Sequence, residues 1–319
     1  MFSSRRLVAN LLVLGIMALG GCQSAPRPVP SVDFTSLGHW EIIRQINYSQ
    51  LPAKNLKGDI GPAYRVYLVT MAGFQTDSYA LTVGPDDDVR YTTDSGQSWT
   101  KAAGALHCRH GLDIVDESVA WHCGNGGTRV TTDGGKTWKT VAASVCPHMS
   151  FLDAQTGWTA SSYVLQATSN GGASWTKIPL PSAAQDIVSI SLRTADDGYI
   201  LDTVGNLFIT PDAGRTWAQQ SLGLKTGEQL IAAAVGSKAV MRFVDARHGM
   251  VVFDLDDGTV WFAITGDGGR SWQRSEIPEL RNRSLYYNLF LAHSGNLLTA
   301  TDDFNNGANA SVVLRYQQP

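Results

Sequence analysis

Charge is scarce in this 319-residue chain and neither sign dominates: 25 Lys and Arg stand against 28 Asp and Glu, a formal net charge of -3. With a pI near 6.1, the chain lacks the general electrostatic pull toward nucleic acid or anionic membrane. No nucleic-acid partner is expected, and any binding patch must be local. Cysteine is equally sparse, with 4 in the chain. Sustained helical periodicity is missing before the C-terminus, which leaves strands as the main element. What remains, 43% hydrophobic residues with 32 Gly, describes a soluble globular protein large enough for one large domain or two ordinary ones.

Long apolar runs are absent too, with one exception. LVANLLVLGIMAL, residues 7–19, follows the basic pair Arg5 and Arg6 and is too short and poorly flanked for a spanning helix. It reads as a targeting segment. The succession Leu19, Gly20, Gly21, Cys22 resembles a bacterial lipobox, and the resemblance implies thioether lipidation of Cys22 with cleavage just before it. Several acyl chains hold a protein on a bilayer where one does so only marginally. The organisation expected is a signal peptide over 1–21, a lipidated Cys22 with a Pro-rich tether over 22–36, and a folded domain over 37–319. The localisation expected is the bacterial cell envelope, facing the periplasm or the exterior. Gln23 after the cysteine, rather than Asp, points to the outer membrane in a Gram-negative cell.

The mature chain is dominated by an internal repeat. TTDSGQSW at 92, TTDGGKTW at 131, TSNGGASW at 168, TPDAGRTW at 210 and TGDGGRSW at 265 end at Trp99, Trp138, Trp175, Trp217 and Trp272. The gaps between those tryptophans are 39, 37, 42 and 55 residues. A period of about 40 fits a propeller blade of four short strands. The sequence between copies agrees: GLDIV, VAWHCG, TRVTT and KTWKTV are strand-length runs rich in Val, Ile, Thr and aromatics, bounded by Asp, Asn and Gly.

The eight-residue pattern resembles the Asp-box, or bacterial neuraminidase repeat, of sialidases, sortilin-type receptors, xyloglucanases and photosystem II assembly-factor propellers. Five copies, most preceded by a phrase such as FLDAQTGW or FVDARHGM, are most similar to the last family. The resemblance covers residues 79 to 275 and implies fold more than function. No residue here supports a photosynthetic role.

Physical chemistry explains why the box repeats. Asp94, Asp133, Asp212 and Asp267 carry the carboxylate, and Asn170 keeps an acceptor oxygen in its place. In a tight turn Asp133 accepts bonds from backbone N–H groups while Gly135 takes a positive φ. Trp138 is expected to start the outer strand and fill the wedge between blades. Ser95 and Ala213 stand where other copies have Gly, a position read as non-essential. A catalytic carboxylate is not repeated five times with an amide allowed in one copy, so the boxes are read as structural and no catalytic residue is assigned.

Five boxes leave a ring unclosed. SLYYNLFLAH, GNLLTATDD and ASVVLRYQ read as three C-terminal strands, and HWEIIRQIN as one N-terminal strand, together a composite sixth blade that removes the open edge. The fold expected is an all-β single propeller of about six blades closed by N- and C-terminal strands. Seven blades is the alternative if residues 47 to 78 hold extra strands. Chain order puts the box turns on one face and the blade-to-blade loops on the other. Those loops carry Lys54, Lys57, Lys225, Arg281 and Arg283, with Arg109 nearby. They are the candidate partner-binding residues, since function concentrates on loops set on a rigid scaffold. Asp59, Glu228 and Glu279 partly offset them.

The loop face also collects His107, Cys108, His110, His122, Cys123, Cys146 and His148. In an oxidising envelope a disulfide among Cys108, Cys123 and Cys146 is expected, with one thiol left over. The pairing stays open: with Ile114 facing Trp121, Cys123 sits opposite Leu112 and Cys108 must fold back to reach it, while Cys108 to Cys146 is geometrically possible too. A zinc or copper site built from His107, Cys108, His122, Cys123, Cys146 and His148 is the sharper alternative, although the spacing matches no standard finger. DLDDGTVW and TDDFNNGAN lack the glutamate of a calcium loop and read as hairpin turns. The Arg-Ile-Pro phrase usual in the first blade of sialidases is missing. Asp113 and Asp254 are read as strand and turn residues.

Three functional readings follow. The leading one is a non-enzymatic, membrane-anchored propeller without cofactor that binds an envelope protein or assists its assembly, as the resemblance implies. The others are a glycan-binding or glycan-cleaving propeller and a metal-handling lipoprotein.

Overall fold

The computed structural model describes residues 34, 36–47, 71–74, 78–83, 88–94, 98, 100–105, 111–124, 127–142, 148–231, 238–281, 285–292, 295–302 and 310–318. They form six antiparallel sheets of four strands each. The first blade is β2 (Met71–Phe74), β3 (Ala80–Val83), β4 (Asp88–Thr92) and β5 (Thr100–Ala105), after the lone N-terminal strand β1 (His39–Asn47). The second is β6 (Gly111–Ile114), β7 (Ala120–Gly124), β8 (Gly127–Thr131) and β9 (Lys139–Thr140); the third is β10 (His148–Phe151), β11 (Gly157–Ser161), β12 (Val164–Thr168) and β13 (Thr176–Ile178). The fourth is β14 (Ile187–Leu192), β15 (Gly198–Asp202), β16 (Asn206–Thr210) and β17 (Ala218–Ser221); the fifth is β18 (Ala239–Phe243), β19 (Gly249–Asp254), β20 (Val260–Thr265) and β21 (Gln273–Glu276). The sixth joins β22 (Leu285–Ala292), β23 (Gly295–Asp302) and β24 (Ala310–Gln317) to β1 on the outside, in the order expected from the sequence.

Each inner strand, β2, β6, β10, β14, β18 and β22, packs against the inner strand of the next blade, and β22 against β2 completes the circle. This is a closed six-bladed propeller, so no blade has an open inner flank. Burial falls from axis to rim. All of IVSISL in β14 is buried, whereas AQQS in β17 is almost wholly exposed. That gradient is why the inner strands are near-continuous apolar runs and the outer ones polar.

The seam of the ring is held by a close approach. Gly38 lies against the end of β24, where an added Cβ would sit 1.8 Å from the Gln317 carbonyl oxygen. Only glycine fits there. Its N–H donates to the Tyr316 hydroxyl at 2.6 Å. Trp40 then buries against Phe262 and Tyr316, with ring centroids at 6.2 and 5.4 Å. Upstream, buried Phe34 stacks on His248 at 5.5 Å and joins the core between blades five and six.

The Asp-box turns and the turns between first and second strands share one face, because they bond to each other. Gly134 N–H donates to Ser118 O at 2.8 Å, Gly171 to Gln155, Ala213 to Asp196 and Gly268 to Arg247. Within the second-blade box, Asp133 accepts from the Thr131 hydroxyl at 2.8 Å, the Thr137 N–H at 2.9 Å and the Thr137 hydroxyl at 2.6 Å. Two expectations need correction here. The position filled by Ala213 is not idle: Ala213 has φ 56°, and Gly134, Gly171 and Gly268 are likewise positive. The left-handed geometry is what aims its N–H at the neighbouring turn, and alanine tolerates it at a cost.

The second correction concerns the wedges between blades. Trp138, Trp175, Trp217 and Trp272 are only half-buried, because each precedes an outermost strand with solvent on one side. The deep part of each wedge is filled by the residue after the glycine that opens a second strand, or by its equivalent in blade two: Trp121, Trp158, Tyr199 and Met250, each 2% exposed or less. The box tryptophans close its outer part, Trp175 and Trp217 donating to Ala142 O and Pro179 O of the preceding blade. Trp121 lies flat on Phe151 of the next blade at 3.9 Å, and Tyr199 on Phe243 at 3.7 Å. A side chain at Gly157 or Gly249 would collide with Phe151 or Phe243, so the repeated phrase before the box is the packing signal.

Candidate functional site

Each inner strand presents an edge whose N–H groups need partners. Side chains of the preceding blade supply them. Asp113 Oδ2 accepts from Phe151 N–H at 2.6 Å, and Ser150 Oγ from Leu192 N–H at 2.8 Å. Ser189 and Ser191 accept from Met241 and Phe243 at 2.9 and 3.0 Å. Across this wall reaches Arg242 of β18. Its guanidinium pairs with Asp113 on the opposite blade, donates to Ser150 Oγ at 3.3 Å and, through Nε, to Leu289 O at 3.4 Å. One arginine thus ties blades two, three, five and six together at the axis, and the ring centre is a committed network.

The opposite end from the boxes carries the second-to-third-strand turns and the blade-to-blade loops. Over blades three to five these are linked by backbone bonds. Ile187 N–H donates to Ser162 O at 3.0 Å, Thr203 N–H to Asp186 O at 3.0 Å, and Leu230 N–H to Thr203 O at 2.8 Å. Leu230 then bridges Leu255. Glu228 fastens the long fourth-to-fifth loop to β21 through Arg274 at 2.8 and 3.2 Å, and the Arg274 guanidinium lies 5.0 Å from the Trp261 ring centre. The result is a continuous rim that holds Tyr163, 70% exposed, and Val204, 41% exposed, out in solvent. The nearby Asp186 carboxylate raises the pKa of the Tyr163 hydroxyl.

The candidate cations fall less simply. Lys54, Lys57, Arg109 and Arg283 lie outside the described residues, as do Cys22 and Trp99. Lys225 and Arg281 are on the loop face but each has an acid beside it. Arg281 Nε bonds Glu276 at 2.8 Å. Glu228 accepts from Lys225 N–H at 2.8 Å, and Lys225 also contributes to lowering its pKa, after the Arg274 bond.

Cys123 is disulfide-bonded, and the other three cysteines lie outside the described residues. The strand register differs by one from that expected: Ile114 pairs with Ala120, Asp113 with Trp121 and Gly111 with Cys123. Cys123 therefore sits level with the very start of β6. His122 and His148 are both buried, His122 edge-on to Trp138 at 6.5 Å and His148 at the start of β10. Burial pushes the His148 imidazole down to about 4, against a bond to the Ile187 backbone. Among the described residues no group of three His, Cys, Asp or Glu converges on a common point. His107, His110, Cys108 and Cys146 lie outside them.

Sequence reasoning overlooked Arg242, the Ser189 and Ser191 ladder, and the Tyr163 and Val204 rim. A signal for the first two was present: a polar residue set inside an otherwise apolar inner strand, as in AVMRF, IVSISL, HMSF and GLDI. Asp113 is more than a strand residue, and Asp254 is buried with Lys238 4.0 Å away.

No protein-family model and no curated protein sequence matches the chain. Solved structures do. YCF48 bound to a D1 peptide superposes with a TM-score of 0.54 at 15% identity, over 79% of this chain and 78% of that one. Catalytically inactive virginiamycin B lyase from Staphylococcus aureus, with quinupristin, gives 0.51 at 8% identity over 88% and 100%. YCF48 from Cyanidioschyzon merolae gives 0.48 at 17% identity over 75% and 79%. At such identities the likeness is one of fold, a β-propeller. The first two are a peptide complex and a lyase, so the fold by itself selects no activity.

Proposed function

We propose that this chain is a non-enzymatic propeller, anchored in the cell envelope through lipidated Cys22, that binds a segment of another envelope protein on its loop face. The observation that carries the reading is the stitched rim over blades three to five, which holds Tyr163 and Val204 in solvent on a rigid frame. Preorganised exposed apolar groups favour association because little ordering entropy is lost on binding. The fold of YCF48, solved with a peptide of D1, is in keeping with a peptide or protein ligand.

Photocrosslinking residues at Tyr163 and Val204, in cells expressing the full chain, should trap one discrete protein, while the same residue at Lys136 on the box face should not. Equal trapping on both faces, or none on the loop face, overturns the reading. The anchor is tested separately: Cys22→Ser should move the protein to the soluble fraction with its melting temperature unchanged. A Cys22→Ser protein that stays membrane-bound in high salt excludes the lipid anchor.

A further inference from the structure

We infer that the propeller is held with its Asp-box face toward the bilayer and its Tyr163–Val204 rim away from it. This rests on the anchoring reading above, and adds to it which surface a partner meets.

The direction of entry is fixed by topology. Inner strands run from the loop face to the box face, and strand direction then alternates through the antiparallel sheet, so the fourth strand of every blade starts at the box face. In the sixth blade that fourth strand is β1, with His39 paired to Gln317 and Asn47 to Ala310. Its His39 end is therefore at the box face. Phe34 confirms the entry point independently, since it is 2% exposed and stacked on His248, in the first turn of blade five. The Phe34 carbonyl also lies 3.4 Å from where a Cβ on Gly266 would stand, beside the fifth box.

Reach decides the rest. Twelve chain steps separate Cys22 from Phe34, at most about 43 Å at ~3.6 Å each. Turning the loop face to the membrane requires the tether to run back along the outer wall, a distance matched by the nine residues of β1, or about 30 Å at ~3.3 Å per residue. Most of the reach is then spent at near-full extension, which costs chain entropy and presses the blade wall on the headgroups. With the box face inward the tether needs no such stretch. That face mixes the carboxylates of Asp116, Asp133, Asp212, Asp245 and Asp267 with the cations Lys136, Arg215, Arg247 and Arg270. It has no single-sign field to draw it flat onto anionic lipid, so the propeller stands off on its tether.

The test uses lipidated full-length protein in vesicles of phosphatidylethanolamine and phosphatidylglycerol containing an acceptor-labelled lipid. A genetically encoded fluorescent donor replaces Lys136 on the box face or Tyr163 on the loop face. Transfer should be clearly greater from position 136, and inserting a Gly-Ser spacer between Pro30 and Ser31 should lower it. Equal transfer, or greater transfer from 163, in protein whose vesicle binding is abolished by Cys22→Ser, overturns the orientation and leaves the anchor standing. Vesicle binding that is absent, or indifferent to Cys22→Ser, removes the anchor and this inference with it.

Discussion

Arg242 and Asp113 stand on opposite blades of the ring and meet across its axis, the aspartate 3% exposed and the arginine 22%. Asp113 also caps the Phe151 N–H, so its loss leaves a half-buried cation and a backbone donor unpaired together.

The staple predicts a pronounced asymmetry. Asp113→Ala should destabilise by about 3 kcal/mol, whereas Asp113→Leu combined with Arg242→Met should recover much of that loss. Urea unfolding of Asp113→Leu, Arg242→Met and their double forms the cycle. A single-variant cost below about 1 kcal/mol would mean the pair is screened and the ring is held by the serine ladder and the wedges.

The two classes of tryptophan should separate in the same assay. Trp158→Ala removes a buried wedge side chain and should cost about 3 to 5 kcal/mol. Trp217 is half-buried, with its indole N–H donating to Pro179 O at 3.0 Å, and Trp217→Ala should cost about half as much. Equal losses would restore the box tryptophan to the wedge role expected from its repetition.

Repetition is what made the fold legible. The period, the turn residues and the unclosed ring lead to six blades with a composite last one, because each rests on local chemistry that recurs. The site was less legible because its parts do not recur. Arg242 acts across the full diameter of the ring, and nothing in AVMRF announces a partner 129 residues earlier. Register was off by one in blade two because both faces of β6 are buried, so no polar alternation marks which residue faces which. The wedge residues were visible in GWTAS, GYILD and GMVVFD, but the invariant box tryptophans drew attention away from a position that changes from Trp to Tyr to Met.

Acid should act on the boxes in a defined window. Burial alone would raise the Asp267 carboxyl, but bonds from the Ser271 hydroxyl and N–H and the Thr265 hydroxyl outweigh it and hold it at about 2. Bonds from Thr216 hold Asp212 low in the same way. A carboxyl lowered on folding contributes stability above its unfolded value of ~4 and loses it as pH falls toward the folded one. Stability should therefore decline between about pH 4 and pH 2, less steeply in Asp267→Asn and more steeply in Asn170→Asp. Denaturant midpoints that track wild type in both variants would exclude the boxes as the source.

His148 should govern a higher window. Its imidazole is pushed down to about 4 by burial, so between that value and ~6.5 the unfolded chain binds a proton that the folded one does not. Stability must fall as pH drops through this range, by roughly 3 kcal/mol at the lower end. His148→Gln should flatten the decline between pH 6.5 and 4, read by urea midpoints. An unchanged slope would show that the ring takes up its proton in the folded state.

Ala213 offers a stabilising change. It holds φ 56° in the one described box that lacks glycine at this place, and its N–H donates to Asp196 O at 2.6 Å. Glycine adopts that geometry without the Cβ penalty, though it also loosens the unfolded chain. Ala213→Gly should raise stability by about 0.5 kcal/mol, seen as a higher melting temperature. A lower melting temperature would mean the turn already accommodates the methyl.

The rim over blades three to five should separate binding from stability. Tyr163 and Val204 are exposed, so Tyr163→Ala and Val204→Ser remove little buried area and should shift the melting temperature negligibly. If this is where a partner docks, both should weaken binding, and they should do so mainly by faster dissociation, since central apolar anchors set residence time more than encounter rate. Asp186→Ala gives a graded control: it removes the carboxylate beside the Tyr163 hydroxyl while keeping the ring, so it should weaken binding less than Tyr163→Ala. Surface plasmon resonance against the partner trapped at position 163 measures all three. Dissociation rates indistinguishable from wild type in Tyr163→Ala and Val204→Ser would move recognition to the outer wall or the box face, and a melting temperature lowered in parallel would assign these side chains to the frame.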